Sequence, residues 1–92
     1  MKVVKISDVE AEEATSQIFR GKVTTQSLIG EGNHELRAAV VNFSPGAANV
    51  FHTHTFDQIL FVTEGTGIVA TENEEITVTP GAIIFIPVGE KH

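Results

Sequence analysis

Residues 51–62 read FHTHTFDQILFV, and the two halves of this run ask for opposite surroundings. The second half, Gln58 to Val62, has the β-branched and aromatic make-up of a strand entering an apolar core. The first half sets His52 and His54 two positions apart at the mouth of that strand. Burying two imidazoles side by side is costly unless something satisfies both. Alternate strand residues share a face, so the rings would lie on one side, roughly 6.6 Å apart along the backbone. That spacing lets both converge on one ion. In a straight strand Gln58 would lie roughly 13 Å beyond His54, but a bend at residues 55–57 would bring it back alongside. His92 follows Pro87 and Gly89, just after a second apolar run. Three imidazole nitrogens and an amide oxygen make an N/O site with room for water or substrate, suited to a divalent first-row metal ion.

Working outward, β-branched and aromatic residues dominate the chain after residue 17, punctuated by glycine and proline. Strands are expected near 18–28, 36–43, 48–54, 58–63, 67–72, 75–79 and 82–87. The breaks fall at GEGN (30–33), SPG (44–46), TEGTG (63–67), ENEE (72–75) and TPG (79–81). Pro45-Gly46 and Pro80-Gly81 suit type II turns. Residues 7–17, SDVEAEEATSQ, form at most a short helix or an acidic lead-in loop. Many short strands with regular turn signals imply an antiparallel sandwich or barrel.

Two strands are apolar on both faces. Leu60 and Val62 share a face with Gln58, while Ile59 and Phe61 point the other way; Ile84 and Ile86 likewise oppose Ile83 and Phe85. A strand wetted on one side should alternate apolar and polar. Cover on both sides is therefore expected, and a second subunit is favoured over the chain's own loops for the outer face. A homodimer is the expectation.

Ninety-two residues make one domain, residues 1–92, with 1–17 as its acidic lead-in. The absence of cysteine removes disulfides and thiolate metal sites, and fits a reducing, cytoplasmic compartment. The N-terminus turns acidic too soon for a signal peptide, and no apolar run approaches a membrane span. Six basic against twelve acidic residues give a net charge of −6, with no basic stripe for a nucleic-acid backbone. The expected partner is a small molecule.

The spacing supplies a resemblance. Residues 46–65 read G-x5-H-x-H-x3-Q-x6-G, with Gly46, His52, His54, Gln58 and Gly65 fixed; residues 81–92 read G-x5-P-x-G-x2-H, with Gly81, Pro87, Gly89 and His92 fixed. These resemble the two motifs of the cupin superfamily, in order and joined by a short intermotif region. The resemblance implies an all-β, small antiparallel jelly-roll barrel. It also implies one divalent metal ion (Mn, Fe, Ni, Zn or Cu) held by His52, His54, Gln58 and His92. In two respects the chain departs from the family. Glutamate is usual where this chain has Gln58, and a neutral amide leaves the ion its full charge, favouring an anionic or deprotonating ligand. The family also continues past the second motif with closing strands and a downstream asparagine, so further chain or a partner is expected to cover that side.

FRGKV (19–23), FSPGA (43–47), HTHTFDQ (52–58), VTEGTG (62–67) and PVGEKH (87–92) together resemble a narrower group, the small cupins related to metal-dependent hydroxynitrile lyases. That implies metal-dependent lyase chemistry on a small organic substrate. A cupin dioxygenase is the enzymatic alternative, and a non-catalytic small-ligand binder or sensor the rival from another class, since fold does not fix function. No nucleophile, second carboxylate or basic clamp marks a catalytic residue. His34, Glu64, Glu74 and Glu75 read as solvated, Lys91 as a surface lysine and Asp57 as a turn residue. Ala39, Val41 and Phe43 share one strand face and are expected to wall the pocket.

Overall fold

The computed structural model describes residues 1–30, 32 and 35–92. It is an all-β chain in which every strand pairing is antiparallel. Two compact units divide it, Met1–Val50 and Phe51–His92. Among the described residues no α-helix occurs, and no helix is long and apolar enough to cross a membrane.

The first unit carries β1 (Glu12–Glu13), β2 (Phe19–Arg20), β3 (Val23–Ile29), β4 (Ala38–Phe43) and β5 (Ala48–Asn49). The sheet β1-β3-β4 is built on the β-branched run of β3, whose Val23 is 1% exposed opposite Phe43. A register shift interrupts the β3–β4 ladder between Ser27 and Ile29, and β2 pairs with β5. Gln26 donates to the carbonyls of Val9 (2.9 Å) and Ile6 (3.2 Å), which fastens the 3-10 turn at Ile6–Asp8 to β3.

Three sequence expectations need correction here. The stretch 18–28 is two strands rather than one, because Gly21 takes φ 77° between β2 and β3 and turns the chain. Residues 7–17 carry the end of the 3-10 turn at Ser7 and Asp8 but are not loop for the rest of their length: Glu12 and Glu13 form an edge strand opposite Thr25 and Thr24. The strand expected over 48–54 ends at Asn49; beyond it Val50 donates to Ile18, and His52 pairs with His92. The apolar wall is open as well. Val41 and Phe43 remain 41% and 48% exposed, with Phe19 edge-on to Phe43 at 6.1 Å. His34 lies outside the described residues.

The second unit nests one hairpin within another. Its strands are β6 (Gln58–Phe61), β7 (Gly67–Ala70), β8 (Glu75–Val78) and β9 (Ile83–Ile86), with β7 on β8 and β6 on β9. Thr71 N–H donates to the Glu74 carbonyl to close the inner turn. Both Pro-Gly pairs turn as expected: Ala47 donates to Ser44 at 2.9 Å and Ala82 to Thr79 at 3.1 Å, with Gly81 at φ 94°. Val62 and the Gly81–Ala82 backbone extend the β6–β9 ladder at one end. The side chains divide between the two faces as the sequence sets them, but only one face is covered within the chain: Leu60, Ile84 and Ile86 are sheltered, while Ile59, Phe61, Ile83 and Phe85 stand open.

Candidate metal centre

Beyond Gln58 the β6–β9 ladder breaks and then resumes. Gln58 faces Ile86, and farther along His52 and His92 exchange both backbone hydrogen bonds, at 2.9 and 3.0 Å. Equal lengths of chain, 53–57 and 87–91, fill the gap, so the original register returns at the histidines. The break has local causes. The chain bends at Thr55 and Phe56, within the stretch where the sequence asks for a bend. On the other side Pro87 to Glu90 forms a turn, Glu90 donating to Pro87 at 3.2 Å with Gly89 at φ 80°. A side chain rarely adopts that conformation, so glycine is required there.

Two further hydrogen bonds tie the bent segments together. Gly89 N–H donates to the His54 carbonyl at 3.0 Å, and Val88 N–H to Asp57 Oδ1 at 2.9 Å. Asp57 therefore does more than shape its own turn, because it holds the arm that carries His92. Nothing in the sequence pairs Asp57 with Val88, thirty-one positions away. A short-chain carboxylate beside a bend was the available signal.

The alternation of burial carries the histidines inward together. His52 and His54 are half-buried with Thr53 exposed between them, His92 is half-buried, and Gln58 and Leu60 keep the same alternation. The ring nitrogens of His52, His54 and His92 offer ligand atoms all within 4.8 Å of one another. The His52 and His54 rings meet edge-on at 4.7 Å, and their Nε2 atoms stand 3.1 Å apart. Two nitrogens bound to one ion at 2.0–2.1 Å would be about 3.0 Å apart at a right angle and about 3.4 Å apart at the tetrahedral angle. The observed separation lies between these values, so the donor set fits such an ion. Two lone pairs this close need something positive between them, either a shared proton or a metal ion.

His92 is held in a ligand-ready form. Its Nδ1–H donates to the Glu90 carbonyl at 3.0 Å; a carbonyl can only accept, so in the neutral ring Nε2 keeps its lone pair. His54 has its pKa lowered from the ordinary 6.5, first by burial and then by the charges of His52 and His92. Its imidazole is thereby kept neutral, the form that ligates. The Phe56 ring stacks on His54 at 4.7 Å and 21°, yet stays 55% exposed. Gln58 sits at the head of β6 on the sheltered face.

Of the residues set aside, Lys91 pairs with Glu72 at 3.5 Å, both side chains exposed, as a surface lysine should. Glu64, Glu74 and Glu75 are exposed. Among the described residues, no carboxylate joins the three histidines.

Comparison with known proteins fits this arrangement. Residues 39–92 match the family model for the cupin domain, a span that takes in all three histidines and Gln58. A protein of Granulicella tundricola described as (R)-mandelonitrile lyase is 31% identical over 94 residues, covering the whole of this chain and 72% of its own.

Proposed function

Because the chain belongs to the cupin family, we propose that His52, His54 and His92 hold one divalent first-row metal ion, with Gln58 as a fourth and neutral ligand, and that the site is a lyase centre for a small organic molecule. The observation that carries this reading is the pair of Nε2 atoms at 3.1 Å with the third imidazole beside them. A bound ion supplies Lewis acidity there, polarising a hydroxyl or carbonyl oxygen.

The chain's own residues set what such a site favours. With no carboxylate among the three histidines and an amide at Gln58, the ligands leave the charge of the ion unneutralised. That field favours an alkoxide or a small anion such as cyanide. The exposed Phe56 ring, stacked on His54, offers an apolar platform for an aryl group. Asp57 and Gly89 hold the two ligand segments at their spacing. A cyanohydrin combines these features, and the relative's name points to that substrate class. Its cleavage breaks the bond between the carbinol carbon and the nitrile. The hydroxyl proton passes to solvent, and the freed O–H electron pair completes the aldehyde carbonyl. Cyanide leaves with the C–C electron pair and takes a proton back from solvent, so that aldehyde and hydrogen cyanide balance the cyanohydrin.

One observation favours a second reading, a small-ligand binder without catalysis: among the described residues no carboxylate joins the histidine cluster to serve as a base. Turnover decides between the two. Protein loaded with each candidate ion, Mn, Fe, Ni, Zn and Cu, is given (R)-mandelonitrile and benzaldehyde is followed by absorbance. Metal-dependent release that disappears in His52→Ala supports the lyase. Saturable binding of cyanide or mandelonitrile with no turnover for any ion moves the assignment to the binder.

A further inference from the structure

The imidazoles of the cluster are not held alike. His92 donates its Nδ1–H to the Glu90 carbonyl at 3.0 Å, the kind of bond that normally orients a ligating histidine. His54 has no counterpart. Its Nε2 faces His52, and among the described residues no hydrogen bond reaches its Nδ1. What lies against its ring is Phe56, with 4.7 Å between centroids and 21° between planes. Side chains two positions apart on a straight strand stand roughly 6.6 Å apart. The bend at Thr55 and Phe56 brings these two closer, into the range of an offset stack. Both ends of that bend are pinned: Gly89 N–H donates to the His54 carbonyl, and Asp57 accepts the Val88 N–H. Fixed backbone on either side therefore delivers the Phe56 ring to the imidazole. The residue is still 55% exposed, so it gains little from burial, and its place against His54 calls for another cause.

We propose that Phe56 is the positioning residue of His54: its ring fixes the plane of the imidazole, so that Nε2 stays turned toward His52 and a shared ion. The inference rests on the metal reading above. The stack takes the part that the Glu90 carbonyl plays for His92. It also distinguishes the loaded site from the empty one. An imidazole bound to a cation shares its positive charge, and the face of an aromatic ring attracts positive charge. The near-parallel planes set that face against the imidazole. The contact is thus stronger with an ion bound, the condition for a neighbour to raise affinity rather than only stabilise the fold. An aromatic pair is worth about 2- to 12-fold in an equilibrium beyond the area it buries. An aliphatic side chain of similar size covers the imidazole without this attraction, so the effect belongs to the ring.

Zinc affinity, measured by competition against a chromophoric chelator, is compared in the parent, Phe56→Leu and Phe56→Tyr. Phe56→Leu keeps apolar cover without the ring and should bind zinc about 3- to 10-fold more weakly. Phe56→Tyr keeps the ring and should stay within about twofold of the parent. A spectroscopic readout stands beside the affinity. The chain has neither tryptophan nor tyrosine, so Phe56→Trp sets its sole indole against His54. The fluorescence of that variant should change as zinc is added and level off at one ion per chain, while Val3→Trp, in the other unit, stays silent. Should Phe56→Leu lose its β-sheet circular dichroism, the Phe56→Trp titration decides alone. Equal zinc affinity in Phe56→Leu and the parent overturns the inference and leaves the metal site standing. So does an equal loss in Phe56→Leu and Phe56→Tyr, or Phe56→Trp fluorescence that ignores bound zinc. A parent that takes up no zinc overturns the metal reading, and this inference with it.

Discussion

Removing the Asp57 carboxylate should loosen the metal site without touching a ligand. Asp57 Oδ1 accepts the Val88 N–H at 2.9 Å, one of four hydrogen bonds seen among the described residues to join the bent segment 52–57 to the arm 88–92. The other three are Gly89 to His54 and the reciprocal pair between His52 and His92. Asp57→Ala removes the acceptor and leaves the Val88 N–H to water, because both residues are exposed. A net hydrogen bond is worth about 0.5–1.5 kcal/mol, and up to about 3 with a charged partner. Exposure puts this one near 1 kcal/mol. If the arm must be re-ordered at each binding event, that cost appears in the affinity as about a five- to tenfold loss, at or just below the low end of the roughly 10–100-fold losses seen for groups that orient metal ligands. Asp57→Asn keeps an acceptor oxygen and should recover most of it. Competition against a chromophoric zinc chelator measures the affinity, and a thermal melt of metal-free protein measures the fold, where about 1 kcal/mol lowers Tm by roughly 4–8 °C. Zinc binding by Asp57→Ala within twofold of the parent would show that the clamp does not position His92, and the reasoning would fail.

Gly89→Ala places a side chain at φ 80°, where an L-residue costs about 1–2 kcal/mol. Nothing lies within 4 Å of the added Cβ, so the loss, read by thermal melting, should come from backbone strain alone. Acid should destabilise the metal-free fold through His54. Its folded pKa lies below the unfolded 6.5, so the unfolded chain binds the proton more tightly; the contribution is intact above pH 6.5 and lost as pH falls through the folded value. Urea midpoints at pH 7.5 and 5.5 compare the two, and His54→Gln should flatten part of the difference. Gln58→Glu should bind a divalent ion at least as tightly, since carboxylate is the better ligand, and should weaken cyanide binding by reducing the positive field. Titrating cyanide into both proteins at matched metal occupancy checks this, and equal or tighter binding by the variant would contradict it.

The site was more legible than the strands around it. His52 and His54 announce themselves by their spacing, and the need to bring Gln58 back predicts the bend that the chain makes at Thr55 and Phe56. His92 was identified by its place in the second motif, and the resumed register sets it opposite His52. The two-faced strands were legible because each states both its faces outright. What escaped were features set by contacts far apart in sequence. Glu12 and Glu13 carry little strand propensity and become a strand only because Thr24 and Thr25 pair with them. The run 48–54 reads as one strand by composition, yet its hydrogen bonds go to Ile18 and then to His92. Gly21 sits inside an otherwise strand-like run, where glycine marks a break only once its φ is known. The link from Asp57 to Val88 depends on how two bent segments meet, which no local pattern encodes.

The central claim is that three histidines and an amide hold one metal ion, and metal content tests it most directly. Parent protein and a His52→Ala, His54→Ala double variant are each stripped with chelator, reloaded with a single divalent ion, desalted and analysed by mass spectrometry of the elements. One ion per chain in the parent and close to none in the double variant, with both β-sheet spectra alike, is the result expected. Full occupancy in the double variant, or none in the loaded parent, would contradict the site.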